Sequence, residues 1–173
     1  MKNSIKVTAF ILSLIMLFTA FLPAAVYAAE QDTVYIRSEG DLVKLAKRCS
    51  LDTWSVGKTV ILEKDIDLSK SKFKNIPYFS GEFNGNMHTI KGLKVSDSTS
   101  TSGFFRYIAE GAVVYDLNLE ADINPPGKQE NIGGLCGKNS GTIRSCSFDG
   151  KVDGKNYVGG IAGRNTSTGK IYN

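Results

Sequence analysis

Apolar and polar positions alternate in one short line that recurs along the chain. It reads Thr89-Ile90-Lys91-Gly92-Leu93-Lys94-Val95, then Val113-Val114-Tyr115-Asp116-Leu117-Asn118-Leu119, then Thr142-Ile143-Arg144-Ser145-Cys146-Ser147-Phe148. A fourth copy begins at Lys170-Ile171-Tyr172-Asn173. Aligned on Ile90, Val114, Ile143 and Ile171, the copies lie 24, 29 and 28 residues apart. Each starts on an aliphatic residue, passes two mostly polar ones, and ends on two apolar residues split by a polar one. A period of this length is the mark of a solenoid, in which each unit buries its apolar face against the next.

A second block repeats without a gap. Ile132-Gly133-Gly134-Leu135-Cys136-Gly137-Lys138-Asn139 matches Val158-Gly159-Gly160-Ile161-Ala162-Gly163-Arg164-Asn165, and Gly103-Phe104-Phe105 is a worn copy of Gly134-Leu135-Cys136. Glycine permits close backbone approach, so its recurrence at fixed places suits stacked coils. Glycine-rich hairpin loops in a β-sandwich are the competing reading. Parallel stacking predicts two internal ladders, one of Leu93, Leu117 and Cys146 and one of Ile90, Val114, Ile143 and Ile171.

Elsewhere the pattern predicts further elements. Tyr115 to Asn124 alternates, with Tyr115, Leu117, Leu119, Ala121 and Ile123 on one face. Phe79 to Phe83 alternates into the turn Asn84-Gly85-Asn86, and Thr59–Leu62 and Asp65–Leu68 read as strands. Phe148-Asp149-Gly150 and Val152-Asp153-Gly154 read as two strand–turn steps. Val34-Tyr35-Ile36 reads as a short first strand. Leu42, Leu45, Ala46 and Cys49 then recur at helical spacing behind the capping pair Ser38 and Asp41. This helix is expected to cover the first coil, with Trp54 helping to seal it.

The opening residues follow another pattern. Lys2 and Lys6 precede an apolar run from Val7 to Leu22, then Pro23 and the small residues up to Ala29. This is the layout of a secretory signal, with cleavage expected between Ala28 and Ala29. An uncleaved membrane anchor is the alternative. Lys+Arg number 21 and Asp+Glu 17, a net +4, and two of those cations lie in the leader. The remainder gives no argument for nucleic acid or an anionic membrane as partner.

Candidate chemistry is sparse. His88 is the only histidine, which leaves no histidine-based metal cluster. It is expected to be a polar coil-edge residue. Asp65 and Asp67 share a strand face and are candidates for calcium. Asp116, Glu120 and Asp122 share another, suited to calcium or to the acid/base pair of a glycan enzyme, but alternating solvated charges explain both faces. Lys138 and Arg164 occupy equal repeat positions and are expected on one outer surface, open to an anionic glycan. Asn165-Thr166-Ser167 fits a glycosylation acceptor. Cys49, Cys136 and Cys146 are odd in number; Cys146 is expected to be a small buried hydrophobe, and a Cys136–Cys146 bond is left open. No catalytic residue, metal ligand or cofactor is assigned.

Gly133-Gly134-Leu135-Cys136-Gly137-Lys138-Asn139-Ser140-Gly141-Thr142-Ile143 and Gly159 to Asn165 resemble the GLUG-motif family of bacterial extracellular proteins. Phe79 to Val95 resembles the entry segment that precedes such repeats. The second copy departs from the pattern around Thr166-Ser167-Thr168. The resemblance implies a right-handed parallel β-helix on large secreted or cell-wall proteins, some similar to surface metallopeptidases that cleave immunoglobulin A. In those the repeats are not the catalytic part.

The expected fold is therefore all-β: a right-handed parallel β-helix of about four coils with an N-terminal amphipathic capping helix. Residues 1–28 form the signal peptide, 29–57 the cap, and 58–173 the β-helix with GLUG-like repeats. The fourth copy is expected to continue in a longer chain or to be covered by a partner. The expected function is non-catalytic: a secreted or cell-surface scaffold, stalk or adhesion module, with a host or cell-wall glycan or a protein as ligand. The alternative is the N-terminal non-catalytic part of a larger surface peptidase or glycan-active enzyme.

Overall fold

A computed structural model describes residues 32–96, 99–127 and 129–173. The expected signal peptide, 1–28, lies outside the described residues, as do the first residues of the expected cap. The described residues begin with strand β1 (Thr33–Ile36) and helix α1 (Glu39–Arg48). Fifteen further strands follow among them. Every named pairing between them is parallel. The hairpin-sandwich alternative is thereby excluded.

The strands stack into three long sheets. The first holds β1, β2 (Thr59–Leu62), β5 (Glu82–Asn84), β8 (Val113–Tyr115), β12 (Thr142–Arg144) and β16 (Lys170–Tyr172), in that order. The second holds β3 (Ile66–Asp67), β6 (Thr89–Val95), β9 (Asn118–Ile123) and β13 (Ser147–Val152). The third holds β4 (Ile76–Phe79), β7 (Phe105–Ile108), β11 (Cys136–Asn139) and β15 (Ala162–Asn165). A small pair, β10 (Glu130–Gly133) and β14 (Asn156–Gly159), widens the last coils. The chain visits the sheets in turn, which winds about five coils rather than the expected four.

The register sets what stacks on what. In the first sheet the inward ladder is Val34, Val60, Phe83, Val114, Ile143 and Ile171. Ile90 is not in it; it pairs with Leu119 and Ile66 in the second sheet. Leu93 pairs with Ala121, not with Leu117. The expected ladders thus hold for Val114, Ile143 and Ile171 but misplace the first copy by one strand. The cause is a bulge in β6. The register shifts between Lys91 and Leu93, with Gly92 at a φ of 73°, so Ile90-Lys91-Gly92-Leu93 within one strand copies the spacing that Val114-Tyr115-Asp116-Leu117 has across a corner.

Corners also divide what looked continuous. Asp116 and Ser145 take φ of 54° and 49°, which bends the chain sharply from the first sheet to the second. Tyr115 therefore points outward while Val114 is buried, and the expected single strand from Tyr115 is two. Phe79 and Phe83 likewise lie in different strands, with Gly81 at the corner between them. A Cβ there would stand 2.4 Å from the Ser55 carbonyl oxygen. Conversely, the two expected steps after Phe148 form one strand, β13. The strand expected at Asp65–Leu68 shortens to Ile66–Asp67.

Helix α1 follows its capping signal. Ser38 Oγ accepts from the Asp41 amide at 3.2 Å and donates to Asp41 Oδ2 at 2.8 Å. That contact, above all others, lowers the Asp41 pKa. Leu42, Leu45 and Cys49 are fully or almost fully buried and join the same core as Ile36, Leu62 and Ile76. Trp54 is half-buried against that core, between the cations of Arg48 and Lys58. The middle of the core is aromatic: Phe83 packs edge-on to Phe79, Phe104 and Phe105 at 6.0, 6.1 and 5.5 Å.

The third sheet ends on polar residues. Phe79 and Ile108 are followed in their ladder by Asn139 and Asn165. Asn139, wholly buried, donates to Asn165 Oδ1 at 2.8 Å and accepts from the Gly141 amide at 3.1 Å. The asparagine column replaces apolar packing with amide hydrogen bonds that satisfy the adjoining turn. The Thr166–Thr168 insertion is held the same way: Thr168 Oγ1 donates to the Ser140 carbonyl at 2.9 Å.

Candidate functional site

A solenoid's side chains leave it in columns, so a site is assembled from equal positions on successive coils. Two outward columns run over the second sheet. One is Asp67, Lys91, Glu120 and Asp149; the other is Lys94, Asp122 and Lys151. Glu120 and Asp122 are thus side by side and exposed. Asp116 is not with them, because it sits at the corner before β9. A shallow groove of about 280 Å³ lies over Gly92, Ala121 and Gly150, rimmed by Lys94, Glu120, Asp122 and Asp149. Glu120 is paired with Lys91, and Asp122 with Lys94 and Lys151, and opposite charges at paired positions stabilise a sheet, whereas Asp149 is paired with Glu120, a like charge.

Asp65 and Asp67 do not form a joint site. Asp65 Oδ1 accepts from the Thr89 amide at 2.9 Å and meets His88 Nδ1 at 3.1 Å. These bonds, the amide first, lower the Asp65 pKa. Asp67 Oδ1 accepts from the Ser69 amide at 2.8 Å, which lowers its pKa in the same way. Asp65 is thus engaged with the corner of the next coil and Asp67 with its own turn. His88 stands at the corner between β5 and β6 with this one carboxylate beside it. No group of three metal-ligating side chains occurs among the described residues.

The cysteines are free and buried. Burial pushes the Cys136 thiol up to about 12 and Cys49 up to about 11. Cys146 is also raised by burial, and its thiol lies 3.2 Å from the Arg144 carbonyl. Cys136 and Cys146 are not bonded to each other. Asn165 of the glycosylation pattern spends its amide within the fold, donating to the Gly169 carbonyl at 2.8 Å.

Lys138 and Arg164 do pair across β11 and β15. The column continues to Tyr107 on β7 and Tyr78 on β4. The two rings lie 6.5 Å apart and are half-buried. The residues Tyr78 and Tyr107 were missed in the sequence, although a signal was there. Ile76-Pro-Tyr-Phe79 and Phe105-Arg-Tyr-Ile108 share the frame of Cys136-Gly-Lys-Asn139. Extending the worn copy at Gly103 by four residues reaches Tyr107.

These coils, all parallel and built from one recurring unit, define a β-solenoid repeat protein. Residues 129–153 match the model of the GLUG motif, so the chain carries that motif over β10 to β13. Over 93 residues it is 36% identical to halomucin of Haloquadratum walsbyi; the match covers 52% of this chain and 1% of that protein. No solved structure gives a significant match. No helix among the described residues is long and apolar enough to cross a membrane.

Proposed function

We propose that the chain is a non-catalytic β-solenoid of the cell surface or the secreted fraction, serving as a scaffold, stalk or adhesion module. The observation that carries this reading is the one-directional coil stack. It displays equal positions in columns along three long sheets, as an extended binding or spacing surface requires. The similarity to a small stretch of halomucin and the GLUG motif both support a place in such assemblies. The basic, apolar and small-residue order of residues 1–28 supports export.

The test is location. A tagged full-length chain expressed in its natural host is expected in the wall fraction or the medium, shortened by its leader. Retention in the cytosol at full length contradicts the proposal.

A further inference from the structure

The geometry points to the outer column of the third sheet, Tyr78, Tyr107, Lys138 and Arg164, as a binding track for an acidic polysaccharide. This deepens the adhesive part of the proposed function and rests on it. A groove of about 270 Å³ covers the first three positions of the column, with Tyr78, Tyr107 and Lys138 in its lining and Glu110 and Ser140 at its side, and Arg164 follows beyond it on the next strand. Parallel strands repeat about every 4.8 Å, so the column offers a regular series of contacts to a regular polymer. The two tyrosine rings, half-buried, 6.5 Å apart and tilted 39° to each other, form the aromatic part of the groove lining. An aromatic face stacks on the apolar side of a flat ring and leaves the phenol to hydrogen-bond. Next along the column, Lys138 and Arg164 supply charge. Neither is in an ion pair among the described residues. Arg106, whose Nε donates to the Thr101 carbonyl at 3.2 Å, stands outside the groove lining with its guanidinium 5.7 Å from the centre of the Tyr107 ring. Glu110 is the one carboxylate on the groove wall.

An aromatic stretch followed by two cations outside any ion pair among the described residues matches a chain of sugars bearing carboxylates; Arg164 has its guanidinium 5.5 Å from the centre of the Tyr157 ring. A single-stranded nucleic acid also uses rings and cations. It needs a continuous basic groove, however, and here Glu110 interrupts the charge.

The experiment is affinity electrophoresis of the full chain in gels containing polygalacturonate, with dextran and oligothymidylate as comparisons. Retardation by polygalacturonate alone is expected. Each of Lys138→Gln and Arg164→Gln should weaken it roughly tenfold, the size of one lost charge-assisted contact. Tyr107→Leu should weaken it similarly, and Glu110→Gln should strengthen it. The two cation variants alter exposed or half-exposed side chains, so an unchanged urea midpoint separates lost binding from lost folding. Absent retardation, retardation indifferent to both cation substitutions, or equal retardation by dextran or oligothymidylate overturns the assignment. Such a failure leaves the surface scaffold standing, because fractionation reads location alone.

Discussion

Phe83→Ala removes the centre of the core. Phe83 is wholly buried, lies between Val60 and Val114 in the first-sheet ladder, and touches three other phenylalanine rings. Truncating a buried phenylalanine costs about 3–5 kcal/mol, through lost transfer energy and the cavity left behind. Three edge-on ring contacts, each contributing about 0.5–1.5 kcal/mol, place this site near the upper end, at about 5 kcal/mol. Neighbouring coils are fixed by strand pairing and cannot collapse into the space. With a urea slope of about 2 kcal/mol per molar, the midpoint should fall by about 2.5 M. Equilibrium urea unfolding followed by far-UV circular dichroism measures this, with Met87→Ala as the control. Met87 is 69% exposed, so its loss should change stability by less than about 0.5 kcal/mol. A Phe83→Ala loss below about 1.5 kcal/mol at unchanged slope would refute the packing argument.

Further outcomes follow from the same structure. Gly134→Ala should destabilise by about 1–3 kcal/mol in thermal unfolding, because a Cβ there stands 2.2 Å from the Gly160 carbonyl and 2.3 Å from the Phe148 ring. Asn139→Ala should cost about 1–3 kcal/mol by leaving the buried Gly141 amide without its acceptor. The three cysteines should resist a thiol reagent at pH 8 while the chain is folded and react fully in denaturant, since burial raises all three thiols. Asp41, Asp65 and Asp67 all have lowered folded pKa values, so their stabilisation is present above the ordinary carboxylate range. It should fade as pH falls through and below about 4, which an unfolding series from pH 6 to pH 2 would follow.

The repeat made the fold legible. Gly133 to Asn139 against Gly159 to Asn165 gave the register of the last coils, and Ser38 with Asp41 located the helix. What the chain concealed was its corners. A residue in the left-handed region turns the backbone into the next sheet and reverses which parity faces inward. Tyr115 thus falls in line with Leu117 while pointing the other way. An amphipathic tyrosine does not betray the reversal, because its ring is at home on either face. Ile90 was misaligned for a related reason: the bulge at Gly92 gives one strand the spacing that a corner gives the later copies. The candidate track was half legible. Lys138 and Arg164 shared an obvious repeat, but tyrosine replaces the cation in the two earlier coils. Only register shows that Tyr78 and Tyr107 belong to the same column.

The winding itself is tested most directly by scalar couplings across backbone hydrogen bonds in solution NMR. Couplings are predicted from the Val113 amide to the Gly81 carbonyl, from Thr142 to Ala112 and from Lys170 to Gly141, each one coil back along the chain. Couplings that instead joined β8 to β9, or β12 to β13, in antiparallel order would contradict the solenoid and every column built on it.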